Sequence, residues 1–192
     1  MLWIPFTLLA AFMQAWRNAF QKQLSKDVSV AGVTLARFIW ASPLAALYLY
    51  LLYQWQPVAM PVFSGHFAGF IVAASLAQIL ATALMVKLFK LRNYAIGAGL
   101  AKSEAVLAAV LGVVFFSESL SPLGWLGVAV GGFAVFLMSK GRDFSDFSVQ
   151  TLCIGIGSGL CFAITSLLVR EASLELTNLP FIHRAAWVLL MV

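Results

Sequence analysis

"HFAGFIVAASLAQILATALMVKL" (66–88) decides the reading of this chain. Its first charged side chain is Lys87, and the stretch before it holds only His66, Ser75, Gln78 and Thr82 as polar side chains. About 20 apolar residues in a helix, rising 1.5 Å each, cross a hydrocarbon core of roughly 30 Å. Strict alternation over about ten residues, the mark of a membrane strand, is absent. The stretch therefore predicts a transmembrane helix. "QWQPVAMPVFSGH" (54–66), with Pro57 and Pro61, separates it from what comes before, and Lys87, Lys90 and Arg92 mark its other end.

Outward from this helix the same pattern recurs. Windows fall at 2–22, 31–53, 66–88, 94–116, 122–139 and 150–169, and a seventh begins at Leu179 and runs to Val192. The chain carries 10% charged residues and a mean hydropathy of +0.97, whereas a soluble domain carries about a quarter charged. The fold class is an all-α polytopic membrane protein. Residues 1–22 have no basic n-region or small-x-small cleavage site and read as a retained helix. Cys153 and Cys161 share one apolar segment, which argues against a disulfide framework, and no metal-ligand spacing is present. No cofactor is called for.

The net charge of +5 reads as loop charge, not as a nucleic-acid patch. Lys22 and Lys26, then Lys87, Lys90 and Arg92, then Lys140 and Arg142 lie in alternate loops, on one face. The positive-inside rule makes that face cytoplasmic and the N-terminus external. Trp3, Trp55 and Trp125 fit an aromatic belt, and His66 and His183 read as interfacial. Pro122 opens the fifth helix, with Glu118 in the turn before it. Gly124, Gly127 and Gly131, and the Gly155–Gly159 GxxxG, predict helix-contact faces.

One shift of register lays "LARFIWASPL" (35–44) on "IHRAAWVLLM" (182–191), placing Arg37 on Arg184 and Trp40 on Trp187, and the first span on the sixth. Five spans per copy invert the second copy in the membrane, the plan of many secondary transporters. The domains follow: 1–140 as the first five-helix repeat, 141–148 as a linker within "SKGRDFSDFS" (139–148), and 149–192 as the start of the second. Two copies need roughly 290 to 300 residues, so the chain reads as a truncated form, and the 192 residues alone are not expected to transport.

Three stretches resemble the EamA-type ten-helix members of the drug/metabolite transporter superfamily. "TLARFIWASPLAALYLYLL" (34–52) is similar to the second helix, with Arg37 near its start. "AKSEAVLAAVLGVVFFSESLS" (101–121) is similar to the fourth, and "PLGWLGVAVGGFAVFLMSKG" (122–141) to the glycine-rich fifth. Ala105 stands where the family often has proline, and Arg17 in "AFMQAWRNAFQKQL" (11–24) where a small residue is usual. The resemblance implies a permease or efflux transporter in the inner cell membrane with a cytoplasmic N-terminus. The loop charges imply the opposite, and orientation stays open between the two.

The polar residues inside the spans are the candidate pathway. Gln14, Arg17, Asn18 and Gln21 form one stripe on the first helix, and Gln78 and Thr82 share a face of the third. Measured from the basic face, Gln14, Arg17, Arg37, Gln78, Lys102 and Glu104 fall in one layer roughly 7 to 15 Å deep. Lys102 and Glu104, two apart on a helix, point away from each other. Glu104 is expected to pair with Arg37 and to bind a proton or cation in coupling, while Lys102 reaches elsewhere. No P-loop, HExxH or paired catalytic aspartates occur, and Ile156 breaks the rhomboid-like GxSG in "GIGSG" (155–159). The function expected is secondary transport of a small metabolite or amphipathic compound, proton- or ion-coupled. The alternatives are a polytopic membrane enzyme and a non-transporting membrane partner protein. The partners called for are the lipid bilayer and a small-molecule substrate, with a homodimer left open and no nucleic acid.

Overall fold

The structure is a computed structural model that describes residues 3–90, 102–117, 119–139 and 149–192. Among these residues lie α1 (Trp3–Leu24), α2 (Val30–Trp55), α3 (Gly65–Lys90), α4 (Glu104–Phe116), α5 (Pro122–Ser139), α6 (Val149–Glu175) and α7 (Phe181–Met191). The regular structure described is all helical. α2, α3 and α6 are long and apolar enough to cross a membrane. Their outward faces carry Leu44, Leu51 and Leu76, each more than half exposed, an arrangement suited to lipid and costly in water. Trp55 and Trp125 are exposed near helix ends, where an aromatic belt would place them. Arg92, Glu118, Lys140 and Arg142 lie outside the described residues.

Local chemistry sets the helix ends. Ser29 Oγ accepts the Gly32 N–H at 3.1 Å and caps α2. Ser64 Oγ accepts from Phe67 N at 3.0 Å ahead of α3, and Ser121 Oγ from Gly124 N at 3.1 Å beside Pro122. Pro43 lies inside α2, where it removes one N–H from the ladder, and the neighbouring Ser42 hydroxyl donates to Phe38 O at 2.9 Å. α4 ends on Ser117 in the left-handed region (φ 53°), whose N–H reaches Gly112 O.

The α3–α6 pair forms the centre. Ser64 donates to Glu175 at one end of it, and Ser158 donates to Ala81 O at 3.0 Å further along, so the two helices are antiparallel. Small side chains bring the backbones close: Ala74 and Ala81 on α3, and Gly155, Ser158, Gly159, Ala163 and Ala172 on α6, are all buried. The Gly155–Gly159 face is thus a contact face, as expected of GxxxG. The α5 glycines differ. Gly127 faces open space and Gly131 meets only Val106 of α4 at 4.0 Å, so that stripe is largely unpacked among the described residues.

α7 returns along α2, also antiparallel. His183 sits beside Gln56, Ala186 packs with Leu49 and Leu52, and Leu190 lies near Ala45. His183 is fully buried in this contact, so its side chain faces protein. It lies at the start of α7, where α2 and α7 close over it. At the opposite end, Lys22 donates to Phe89 O and Lys90 to Val28 O, so the α1–α2 turn and the end of α3 share one face. Lys22 and Lys90 therefore lie on the same face.

Candidate functional site

The polar residues converge from several helices but divide into two places, both lined by α3 and α6. The first is a narrow cleft lined by Gln14, Arg17, Asn18, Lys102 and Glu104, closed by Met85, Phe89 and Phe162. The α1 stripe supplies three of these side chains from one face, and Gln21 one turn on is buried. Lys102 Nζ donates to Gln14 Oε1 at 3.0 Å. Arg17 Nη2 lies 3.5 Å from Asn18 Oδ1. Glu104 opens α4 and accepts from Ser166 Oγ of α6 at 3.0 Å. The cleft measures about 20 Å³, room for a water molecule but not for a metabolite.

The second place is a cavity of about 760 Å³ between α2, α3, α6 and α7, within the range of small-molecule sites. Arg37, Gln78, Thr165 and Ser166 mark one end, and Arg170, Ser173 and Arg184 the other. Phe38, Val169, Val188 and Leu189 make its walls largely apolar. Arg37 Nη1 donates to Thr82 Oγ1 at 2.5 Å, and Thr82 is fully buried on α3. The Arg37 guanidinium also lies 5.5 Å from the Phe38 ring centre.

Two expectations are corrected. Glu104 and Arg37 do not pair: Arg37 turns to Thr82 of α3 and Glu104 to Ser166 of α6. Equal depth puts groups in one layer, but their directions around the helix axes decide which of them meet. Nor do Lys102 and Glu104 diverge. Lys102 precedes the helix in a turn, so helical angles do not apply to it, and both side chains line the same cleft. Of the six candidates, Gln14, Arg17, Lys102 and Glu104 come together, while Arg37 and Gln78 meet in the large cavity.

Residues that sequence reasoning passed over complete both places. Thr165, Ser166, Arg170 and Ser173 all come from α6, where "ITSLLVREAS" (164–173) mixes small hydroxyls into an apolar run. Their spacing along one helix face was the available signal. Ser166 matters most, because it lines the large cavity and also bonds Glu104 in the cleft. Arg184, noted only as the repeat partner of Arg37, lines the same cavity as Arg37. Ser158, the serine of "GIGSG", is fully buried and donates to Ala81 O, so its hydroxyl serves helix packing. No group of three metal-ligating side chains occurs among the described residues. No protein family, curated protein or solved structure matches the chain.

Proposed function

We propose that this chain belongs to a secondary transporter of the EamA type in the drug/metabolite transporter superfamily, and that the large cavity is its substrate chamber. The observation that carries the reading is the shared placement of Arg37 and Arg184, the two residues related by the sequence repeat, in one cavity of metabolite size. Substrate sites at a repeat interface are the rule in such transporters. The antiparallel course of α2 and α7, the second helices of the two copies, supports an inverted repeat. On this reading the protein is a multi-pass inner-membrane permease with six spans before α7.

Glu104 is the coupling carboxylate in this account. It stands next to the chamber, joined to it by the Ser166 hydroxyl, and shares its cleft with Arg17 and Lys102. A proton taken up by Glu104 alters what Ser166 can offer the chamber, since a protonated carboxyl donates as well as accepts. A rhomboid-type serine hydrolase would need Ser158 free to attack, and that hydroxyl is held between α3 and α6.

The test is transport by the protein expressed from its complete reading frame, reconstituted in liposomes with an imposed pH gradient and a panel of labelled small molecules. Saturable, gradient-driven movement of at least one compound, with Glu104→Gln inserted normally but indifferent to pH, is expected. No saturable movement of any compound would reject transport, and normal pH dependence in Glu104→Gln would reject the coupling role.

A further inference from the structure

The large cavity holds more positive charge than its surroundings balance. Three arginines line it and no carboxylate does. Arg170 is offset by Glu171 at 3.1 Å. Arg37 and Arg184 have no acidic partner among the described residues, and the Arg184 Nε is buried without an acceptor. Glu104, which Ser166 links to the cavity, faces a cleft that already contains Arg17 and Lys102. A guanidinium offers five N–H donors, and Arg37 spends one group on Thr82. Uncompensated charge in an apolar wall inside a membrane is costly, and such residues are paired or mark a pathway.

Resting on the transport reading of this cavity, we infer that its substrate is an amphipathic organic anion, with its carboxylate on Arg37 and its apolar body against Phe38, Val169, Val188 and Leu189. The guanidinium fork suits a carboxylate accepting two parallel bonds. Thr82, fully buried behind Arg37, holds the fork in place. Gln78 stands at the same end, where its amide N–H can meet a remaining oxygen lone pair, while the Thr165 and Ser166 hydroxyls already donate to Cys161 O and Glu104. Arg184, near the far end of the cavity, offers the anion a second station. An organic cation would face two unpaired arginines, and a neutral compound would leave both unpaired.

The experiment compares three probes with one apolar body, 1-naphthoate, 1-naphthamide and 1-naphthylmethylammonium, for equilibrium binding to the protein in phosphatidylcholine nanodiscs. Naphthoate is expected to bind at least about tenfold more tightly than the amide, with the ammonium weakest. Arg37→Gln should bring naphthoate to the level of the amide. Equal or tighter binding of the amide or ammonium, or no binding of naphthoate, overturns the inference without needing any variant. A folded Arg37→Gln protein that keeps the preference overturns the placement on Arg37. Repeating the measurement with phosphatidylglycerol added separates two sources of the anion: competition identifies a lipid, and unchanged binding a soluble carboxylate. Naphthoate preference without movement in proteoliposomes retains the anion site and rejects transport. Movement only of neutral or cationic probes does the reverse.

Discussion

Replacing His183 by alanine probes whether α7 is held against α2. The imidazole is fully buried, its Nε2 lies 2.9 Å from Gln56 O, and its ring meets Tyr53 edge-on with centroids 5.1 Å apart. Gln56 follows the last residue of α2, so its carbonyl has no partner further along the helix and His183 Nε2–H supplies one. Losing that bond costs about 0.5–1.5 kcal/mol. Losing a buried aromatic ring costs about 3–5 kcal/mol for phenylalanine or tryptophan, and the smaller imidazole belongs at or below the low end of that range. Because Gln56 is exposed enough for water to take over part of the bond, the sum for His183→Ala is about 2–4 kcal/mol. His183→Phe keeps the ring against Tyr53 and loses only the hydrogen bond, about 1 kcal/mol. Reversible unfolding of the protein in mixed micelles, titrated with a denaturing detergent, measures both. A His183→Ala protein within about 0.5 kcal/mol of the parent would refute the packing described, since a site that empties without cost was not closed.

Further outcomes follow from other contacts. Ser158→Leu at the α3–α6 crossing should destabilise by about 1–3 kcal/mol through overpacking, whereas Ser158→Ala should cost about 0.6 kcal/mol or less, both read in the same unfolding titration. Thr82→Val removes the acceptor of Arg37 at constant shape and should cost about 1.5–3 kcal/mol, with Thr82→Ser restoring most of it; equal stability of all three proteins would mean that Arg37 does not depend on Thr82. Single cysteines at Lys26 and Lys90 should react with an impermeant maleimide from one side of the membrane, and cysteines at Ser64 and Glu175 from the other; any exchange between these pairs contradicts the helix directions.

The helices were legible in the sequence because apolar runs and their punctuation report the two properties that matter, length and hydropathy. The window at 31–53 anticipates α2 to within two residues at each end, since Ser29 and Pro57 bracket it. The window at 150–169 stops short of Glu175 because Arg170 and Glu171 end the apolar run while the backbone hydrogen bonding of α6 continues. The candidate site was legible as a layer but not as a set of partners. Depth along a helix follows from counting residues, and that placed Arg17, Arg37, Gln78 and Glu104 together. Direction around each axis depends on how helices dock, and the Ala81–Ser158 crossing that sets it joins residues far apart in the chain. Ser103 and Lys102 precede the α4 helix instead of continuing it, a boundary that a hydropathy window does not detect. The hydroxyls of α6 passed for ordinary tolerance of Thr and Ser in an apolar span, although Ser166 joins the two halves of the site.

The central claim is that solute passes through the cavity between α2, α3, α6 and α7. Ala41 lines that cavity from an exposed position on α2, so a tryptophan there can enter it without disturbing a packed contact. The decisive measurement is solute flux in proteoliposomes by Ala41→Trp against the parent, with Ala46→Trp on α2 as a control outside the cavity lining, each expressed from the complete reading frame. The account predicts saturable flux in the parent and the control and a loss of at least about tenfold in Ala41→Trp at equal protein incorporation. Undiminished flux through the Ala41→Trp protein would contradict it.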